Sequence, residues 1–167
     1  MGIMTTPPAS SSATRFDTLA QEAFLNLWRT YDRLHLIEEE LFGRFELTPQ
    51  QYNALRLLRG EGDHKLATLV LASRLVSRAP DITRLLDKLE ERKLIERERP
   101  PDNRRMVLIG LTDRGRNLLT ELDEEVRATH AKQLGHLSPE QLGQFISLLK
   151  AARRPHEDAS SHWKPAV

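Results

Sequence analysis

The chain has 167 residues, a formal net charge of +1 and no cysteine. Its 29% charged and 39% hydrophobic residues are typical of a folded globular protein rather than a disordered one. The absence of cysteine excludes disulfides, thiolate metal sites and thiol-based redox sensing. Because the net charge is nearly zero, any nucleic-acid binding would depend on locally clustered cations.

The two ends of the chain differ from its middle. The first residues, MGIMTTPPASSSATR, are rich in proline, serine and threonine and lack the charged start and apolar core of a signal peptide. We predict a disordered tail at residues 1–14, one domain at residues 15–154 and a loose tail at residues 155–167. No apolar run is long enough to span a bilayer, so we expect a cytoplasmic protein without a membrane partner.

Apolar residues recur at steps of three and four from Phe16 to Phe45, which predicts a long amphipathic helix. A helix of this length has more apolar surface than the core of a small domain can cover, so we expect part of it to bind a partner.

An aromatic stripe lies on this helix, at steps of four, three and four: Phe24, Trp28, Tyr31 and His35. One interpretation is the wall of an effector pocket, with Tyr31 and His35 as polar groups. The other is packing in a dimer core, which is the commoner use of such a stripe. Tyr52, in the next helix, fits either interpretation.

Three shorter helices are predicted next. Thr48, followed by Pro49 and Gln51, forms a capping-box signature, and the Gly60–Gly62 region ends the helix that starts there. Further helices are expected over residues 66–75 and from about Pro80 to Arg92. The third of these helices has an apolar stripe on one face. Polar side chains lie on its other faces and in the residues just before it: Ser77, Arg78, Thr83, Arg84, Asp87 and Lys88.

A charged hairpin follows. Residues 94–99 and 106–111 are predicted strands, joined by a turn around the PPDN sequence. The second strand has no charged residue, so we expect it to be covered on both sides. Residues 92–105 contain six basic and three acidic residues, which concentrates positive charge at this hairpin.

Two helices complete the chain. Thr112 caps a long one, and Ser138 with Gln141 repeats the capping signature before a helix that ends near Arg154. The order predicts a mainly α fold with a small β-hairpin wing. A winged helix-turn-helix lobe (about 48–111) is flanked by long terminal helices (about 15–46 and 112–154). A polar helix rich in arginine fits the major groove of DNA, and an arginine-tipped hairpin reaches the minor groove or phosphates.

The segment DNRRMVLIGLTDRG resembles the wing signature of the MarR-type (multiple antibiotic resistance regulator) family of transcription factors. Asp102, Arg104, Leu111, Thr112 and Gly115 fall on the positions of that signature. ITRLLDKLEERKLIER is similar to the family's recognition helix, with a lysine at position 93 where glycine is common. The resemblance extends from about Ala20 to Ala152.

What the resemblance implies is a homodimeric repressor that reads a palindromic operator in double-stranded DNA. Its long terminal helices would intertwine, and a small lipophilic or phenolic effector would weaken DNA binding. Arg104 would enter the minor groove with Asp102 holding its guanidinium by a hydrogen bond. Arg74 and Arg105 are predicted phosphate anchors, and base contacts are expected among Ser77, Arg78, Thr83 and Arg84.

Two other classes of function are a protein-binding module and an enzyme. Acidic residues on the third helix keep open a winged-helix module that binds protein instead of DNA: Asp81, Asp87, Glu90 and Glu91. An enzyme finds no support, because there is no cysteine nucleophile, glycine-rich phosphate loop or Gly-x-Ser-x-Gly sequence. The six histidines lack the spacing of a helix-borne zinc site, so we predict no metal and no cofactor.

Overall fold

A computed structural model describes residues 16–77 and 81–157. Within that part of the chain the strands are β1 (Leu66–Ala67), β2 (Ile95–Glu98) and β3 (Leu108–Leu111). The helices are α1 (Leu19–Gly43), α2 (Pro49–Gly60), α3 (Thr68–Arg74), α4 (Ile82–Glu91), α5 (Asp113–Leu134) and α6 (Pro139–Arg153), followed by a 3-10 turn (Arg154–His156). The predicted tail at residues 1–14 and most of the one at residues 155–167 lie outside the described residues.

The chain divides into two compact units, Met1–His35 and Leu36–Val167. The described part of the first unit is mainly the N-terminal part of α1. The second unit contains the rest, including the succession of α2, α3, α4 and the β2–β3 hairpin, which confirms the predicted winged helix-turn-helix arrangement. Among the described helices, none combines the length and apolar composition that a membrane crossing requires.

The helix starts follow the capping signals in the sequence. The Thr48 hydroxyl accepts a hydrogen bond from the Gln51 amide, while the Gln51 side chain accepts one from the Thr48 amide. Ser138 and Gln141 repeat this reciprocal pair at α6, and Thr112 caps α5. Each pair satisfies N–H groups that the first turn of a helix leaves unpaired.

A third strand was missed in the sequence. Residues 66–75 were expected to be helical, but Leu66 and Ala67 pair with Ile109 and Leu108 before α3 begins. The antiparallel sheet therefore has the order β1-β3-β2, which covers β3 on both edges. Two residues are too few to show a strand periodicity, so only the partner strand reveals β1. The remaining boundaries differ from the expected ones by one to three residues, which is usual for helix ends.

The hydrophobic core lies between the helices of the winged-helix lobe, its sheet and α5. Its largest side chains are almost completely buried: Leu55, Leu58, Leu71, Leu86, Leu89, Leu94, Ile109, Leu119 and Leu122. Leu41 and Phe42, near the end of α1, belong to the same core.

The end of α4 and the start of α5 meet at a tight junction. Lys93 has a φ of 58°, the left-handed conformation that favours glycine, and the Leu94 amide returns to the Leu89 carbonyl. The Leu94 carbonyl accepts a hydrogen bond from the Thr112 amide, and the Thr112 hydroxyl donates to the Lys93 carbonyl. Gly115 packs directly against the Leu94 carbonyl. A Cβ at this position would stand only 2.3 Å from the Leu94 oxygen.

We expect Gly115→Ala to lower the free energy of unfolding by about 2–3 kcal/mol, because backbone atoms must move to admit the methyl group. Urea denaturation measures this value. Gly60→Ala is the matched control, since a Cβ at Gly60 meets no atom within 4 Å and should change stability by no more than about 0.5 kcal/mol. Equal effects of the two substitutions would contradict the close packing of this junction.

Candidate nucleic-acid interface

The exposed face of α4 is the first part of the candidate surface. Leu86 and Leu89 are buried in the core, whereas Thr83, Arg84 and Lys88 are exposed. Asp81 begins the helix by accepting a hydrogen bond of 2.9 Å from the Arg84 amide. The helix thus presents polar and cationic groups on the side away from its buried leucines.

Two clefts flank α4. One, of about 630 Å³, lies between α4, the start of α3 and the wing loop (residues 99–107), and Thr83 and three arginines, Arg97, Arg99 and Arg105, are among its lining residues. The other, of about 430 Å³, lies towards the start of α2 and is lined by Gln50, Arg84 and Lys88 among others. A helix with open space on both flanks has the shape needed to enter a groove of duplex DNA.

The wing loop projects its arginines into solvent. Two successive turns build it, closed by hydrogen bonds from the Asn103 amide to the Pro100 carbonyl and from the Met106 amide to the Asn103 carbonyl. Arg104 and Arg105 are exposed, and neither side chain forms an ion pair in the described part of the chain. Their guanidinium groups are therefore free to bind an external anion.

The expected hydrogen bond between Asp102 and Arg104 is not formed in this structure. Arg99 instead donates a hydrogen bond of 3.2 Å to the Arg104 carbonyl, so the loop is held through its backbone. Arg99 thus fixes the backbone at Arg104, while the Arg104 side chain stays exposed.

The other expected DNA contacts differ in their surroundings. Ser77 is exposed, and Arg78 lies outside the described residues. Arg74 forms an ion pair with Glu61, so part of its hydrogen-bonding capacity is already used.

Most of the acidic groups on α4 have internal partners. Asp81 caps the helix, while Asp87 and Glu90 both pair with Arg97 of β2. On the opposite side of the wing, Lys65 pairs with Glu96 at 2.7 Å and with Glu98 at 2.6 Å. The hydrogen bonds that the Lys65 ammonium donates to these two carboxylates raise the pKa of Lys65, so it stays charged near neutral pH.

The predicted pocket residues lie in two different settings. Tyr31 stacks on His35 with ring centroids 5.1 Å apart, and Trp28 is exposed beside Phe24. Tyr52 stacks on Phe42 at 4.4 Å, and burial raises the pKa of its phenol. The Tyr52 hydroxyl therefore remains protonated and able to donate a hydrogen bond at neutral pH. The effector pocket itself stays a prediction.

Three basic residues contribute to this surface beyond those predicted from the sequence: Lys88, Arg97 and Arg99. Lys88 lies one turn after Arg84 and lines the same cleft, a spacing that the helical period already implied. The sequence left open whether Arg97 and Arg99 are ordinary strand charges facing water; in the structure Arg97 contacts α4 and Arg99 closes the wing loop. Among the described residues, no group of three histidine or acidic side chains could hold a metal ion.

Comparisons with known proteins agree on one family. A family model described as the MarR family matches residues 47–107. The HTH-type transcriptional regulator YkoM of Bacillus subtilis (strain 168) is 31% identical over 137 residues, which cover 78% of this chain and 86% of that protein. The crystal structure of a MarR transcription factor from Planctomyces limnophilus is 55% identical, with a TM-score of 0.66, and covers 82% of this chain and 99% of its own.

A third comparison shows the fold alone. A mutant MarR from E. coli, solved in complex with operator DNA, has a TM-score of 0.71 at 21% identity and covers 81% of this chain and 99% of its own.

We expect Arg104→Ala to weaken binding to duplex DNA about tenfold without changing the melting temperature, because the side chain has no internal partner to lose. Fluorescence anisotropy measures the affinity. Arg127→Ala is the control: it removes an equal charge from the surface of α5, where Arg127 pairs only with Glu124. Equal affinities of the two variants would contradict the assignment of the wing tip to DNA.

Proposed function

The chain belongs to the MarR family of DNA-binding transcriptional regulators, and from this premise we propose that it is a homodimeric repressor of a palindromic operator, released by a small lipophilic or phenolic ligand. Family members are regulators of transcription rather than enzymes. The observation that carries the proposal is the uneven use of charge around α4 and the wing. The acidic groups there are mostly paired internally, whereas the cations at the tip of the wing and on the exposed helix face are not.

Each part of the surface then has a role. Thr83 and Arg84 on α4 read base edges in the major groove, with Ser77 and Arg78 at the entry to the helix. Arg104 enters the adjacent minor groove, where its charge is attracted by the phosphates on both sides. Arg105 and Arg74 bind phosphates, Arg74 while retaining its contact with Glu61. Asp102 does not contact DNA in this proposal, since a carboxylate beside phosphates is repelled.

The homodimer is supported by the terminal helices, each considered separately. None of the 15 residues of α6 is buried, although its sequence includes Leu142, Phe145, Ile146, Leu148 and Leu149. An isolated helix of this length is marginally stable in water, so a covering partner is needed. In the first unit, Phe24, Trp28 and Tyr31 are each at least 60% exposed. Exposed apolar surface of this kind marks an interaction site, and a two-fold dimer would read a two-fold operator.

Candidate side chains for binding the effector are Trp28, Tyr31 and His35 in the first unit and, considered separately, Tyr52 in the second. Aromatic rings can stack on a phenol, and the imidazole and phenol groups can exchange hydrogen bonds with its hydroxyl. Release of DNA requires only that the ligand prefer a separation of the two lobes that does not fit successive major grooves. The regulator would act in the cytoplasm, where its operator is accessible.

The protein-binding alternative receives no specific support from the structure. It rested on four acidic residues of the third helix and its start, and three of these have internal roles as cap or ion-pair partners: Asp81, Asp87 and Glu90.

Selection from a randomised duplex library tests the proposal. We expect the wild-type chain to enrich an inverted repeat whose half-sites are centred about 10 base pairs apart, bound by two copies of the chain. Sedimentation of the complex gives the stoichiometry. Enrichment of a single half-site bound by one copy would contradict the palindrome and the dimer, and absence of any enriched sequence would contradict operator recognition.

We expect Leu148→Glu to weaken dimerisation at least tenfold, because a carboxylate would be buried where the leucine is now 69% exposed. Sedimentation equilibrium measures the dimer dissociation constant. Ser147→Glu, at an exposed position opposite the apolar stripe of α6, is the control and should leave dimerisation nearly unchanged. An unaltered dimer in Leu148→Glu would exclude this surface from the interface.

A further inference from the structure

One side chain of the wing lies along a full face of the recognition helix. The Arg97 guanidinium is 2.6 Å from the Asp87 carboxylate and 3.1 Å from that of Glu90, and it approaches the Thr83 carbonyl at 3.4 Å. Positions 83, 87 and 90 are separated by four and three residues, so they share one side of α4. Arg97 therefore contacts about two turns of this helix from β2.

The other face of β2 is held by a different cation. Glu96 and Glu98 alternate with Arg97 and pair with Lys65, just before β1. The Lys65 chain crosses over Gly110, where a Cβ would come within 3.1 Å of its Cε. Because β2 is anchored on both faces, the wing cannot turn about its own axis without breaking an ion pair.

The location of these pairs matters for DNA binding. Asp87 and Glu90 belong to the helix that enters the major groove, where uncompensated carboxylates would be repelled by phosphates within a Debye length of about 10 Å. Only 24% of the Arg97 side chain is exposed, so much of its surface is turned towards the protein rather than to an external ligand.

We infer that Arg97 is a positioning residue for DNA binding: it offsets one of the two negative charges of Asp87 and Glu90 and fixes the wing against the recognition helix without contacting DNA. The inference rests on the proposed DNA surface. It adds Arg97, which acts on DNA binding through Asp87 and Glu90. It differs from the role given to Arg104, whose guanidinium meets DNA directly.

A set of variants that remove these charges singly and together tests this role. The probe is the duplex that the wild-type chain enriches from a randomised library. Affinity is measured by fluorescence anisotropy between about 50 and 300 mM salt, over which the Debye length falls from about 14 to about 6 Å. We expect Arg97→Gln to bind at least tenfold more weakly, because two carboxylates are uncovered. The triple variant Arg97→Gln, Asp87→Asn, Glu90→Gln should bind within about threefold of wild type, since no charge remains to be masked.

The salt dependence separates positioning from contact. The triple variant should keep the wild-type slope of log K against log salt, because no phosphate contact is lost. A triple variant as weak as Arg97→Gln, with a slope smaller by about 1, would show instead that Arg97 binds a phosphate. Wild-type affinity in Arg97→Gln would show that the residue has no role in DNA binding.

Two further measurements serve as controls for the role of Arg97. Arg97→Lys keeps the positive charge and should bind DNA with intermediate affinity, which preserves the test if Arg97→Gln does not fold. Wild-type affinity of Arg97→Lys would contradict the claim that a guanidinium must contact both carboxylates. Hydrogen exchange in β2 of the free protein should be faster in Arg97→Gln and restored in the triple variant, and unchanged exchange would overturn the link between wing and helix. If the wild-type chain itself binds no duplex, the proposed function fails, while the exchange result still decides the link.

Discussion

The Leu94 carbonyl is the point on which the arrangement of the lobe depends. It accepts the Thr112 amide, and Gly115 packs beneath it without a side chain. Through these contacts the end of the recognition helix, the far end of the wing and the start of α5 meet within one turn of backbone. Since backbone atoms rather than flexible side chains form this junction, the direction of the recognition helix is tied to that of a helix outside the winged lobe. A change in α5 can therefore reach the proposed DNA surface.

Charge is organised in two layers around this junction. Ion pairs within the lobe use the side chains of Lys65, Arg97 and their carboxylate partners to hold the wing in place. The arginines of the wing tip stand outside these pairs and face solvent. A protein whose formal net charge is only +1 thus produces a locally cationic surface by pairing its acidic groups internally. This division explains why whole-chain charge gave so little indication of DNA binding.

The sequence was sufficient for the parts of the fold that depend on local chemistry. Thr48 and Ser138 could be identified as helix caps because the residue three positions later completes each capping box, and the uncharged β3 was expected to be covered. Contacts between distant segments were not predictable in this way. The two-residue β1 exists only because β3 offers it a partner, and Arg97 finds Asp87 and Glu90 only after the hairpin has folded back on α4.

The measurement that tests the central claim most directly is an anisotropy titration of the wild-type chain against duplex DNA from the region upstream of its own gene, at several salt concentrations. A DNA-binding regulator releases counterions on binding, so the account predicts saturable binding that outcompetes random duplex and falls steeply as salt rises. Weak binding that is indifferent to both sequence and salt would contradict it and would assign this winged helix to a protein partner instead.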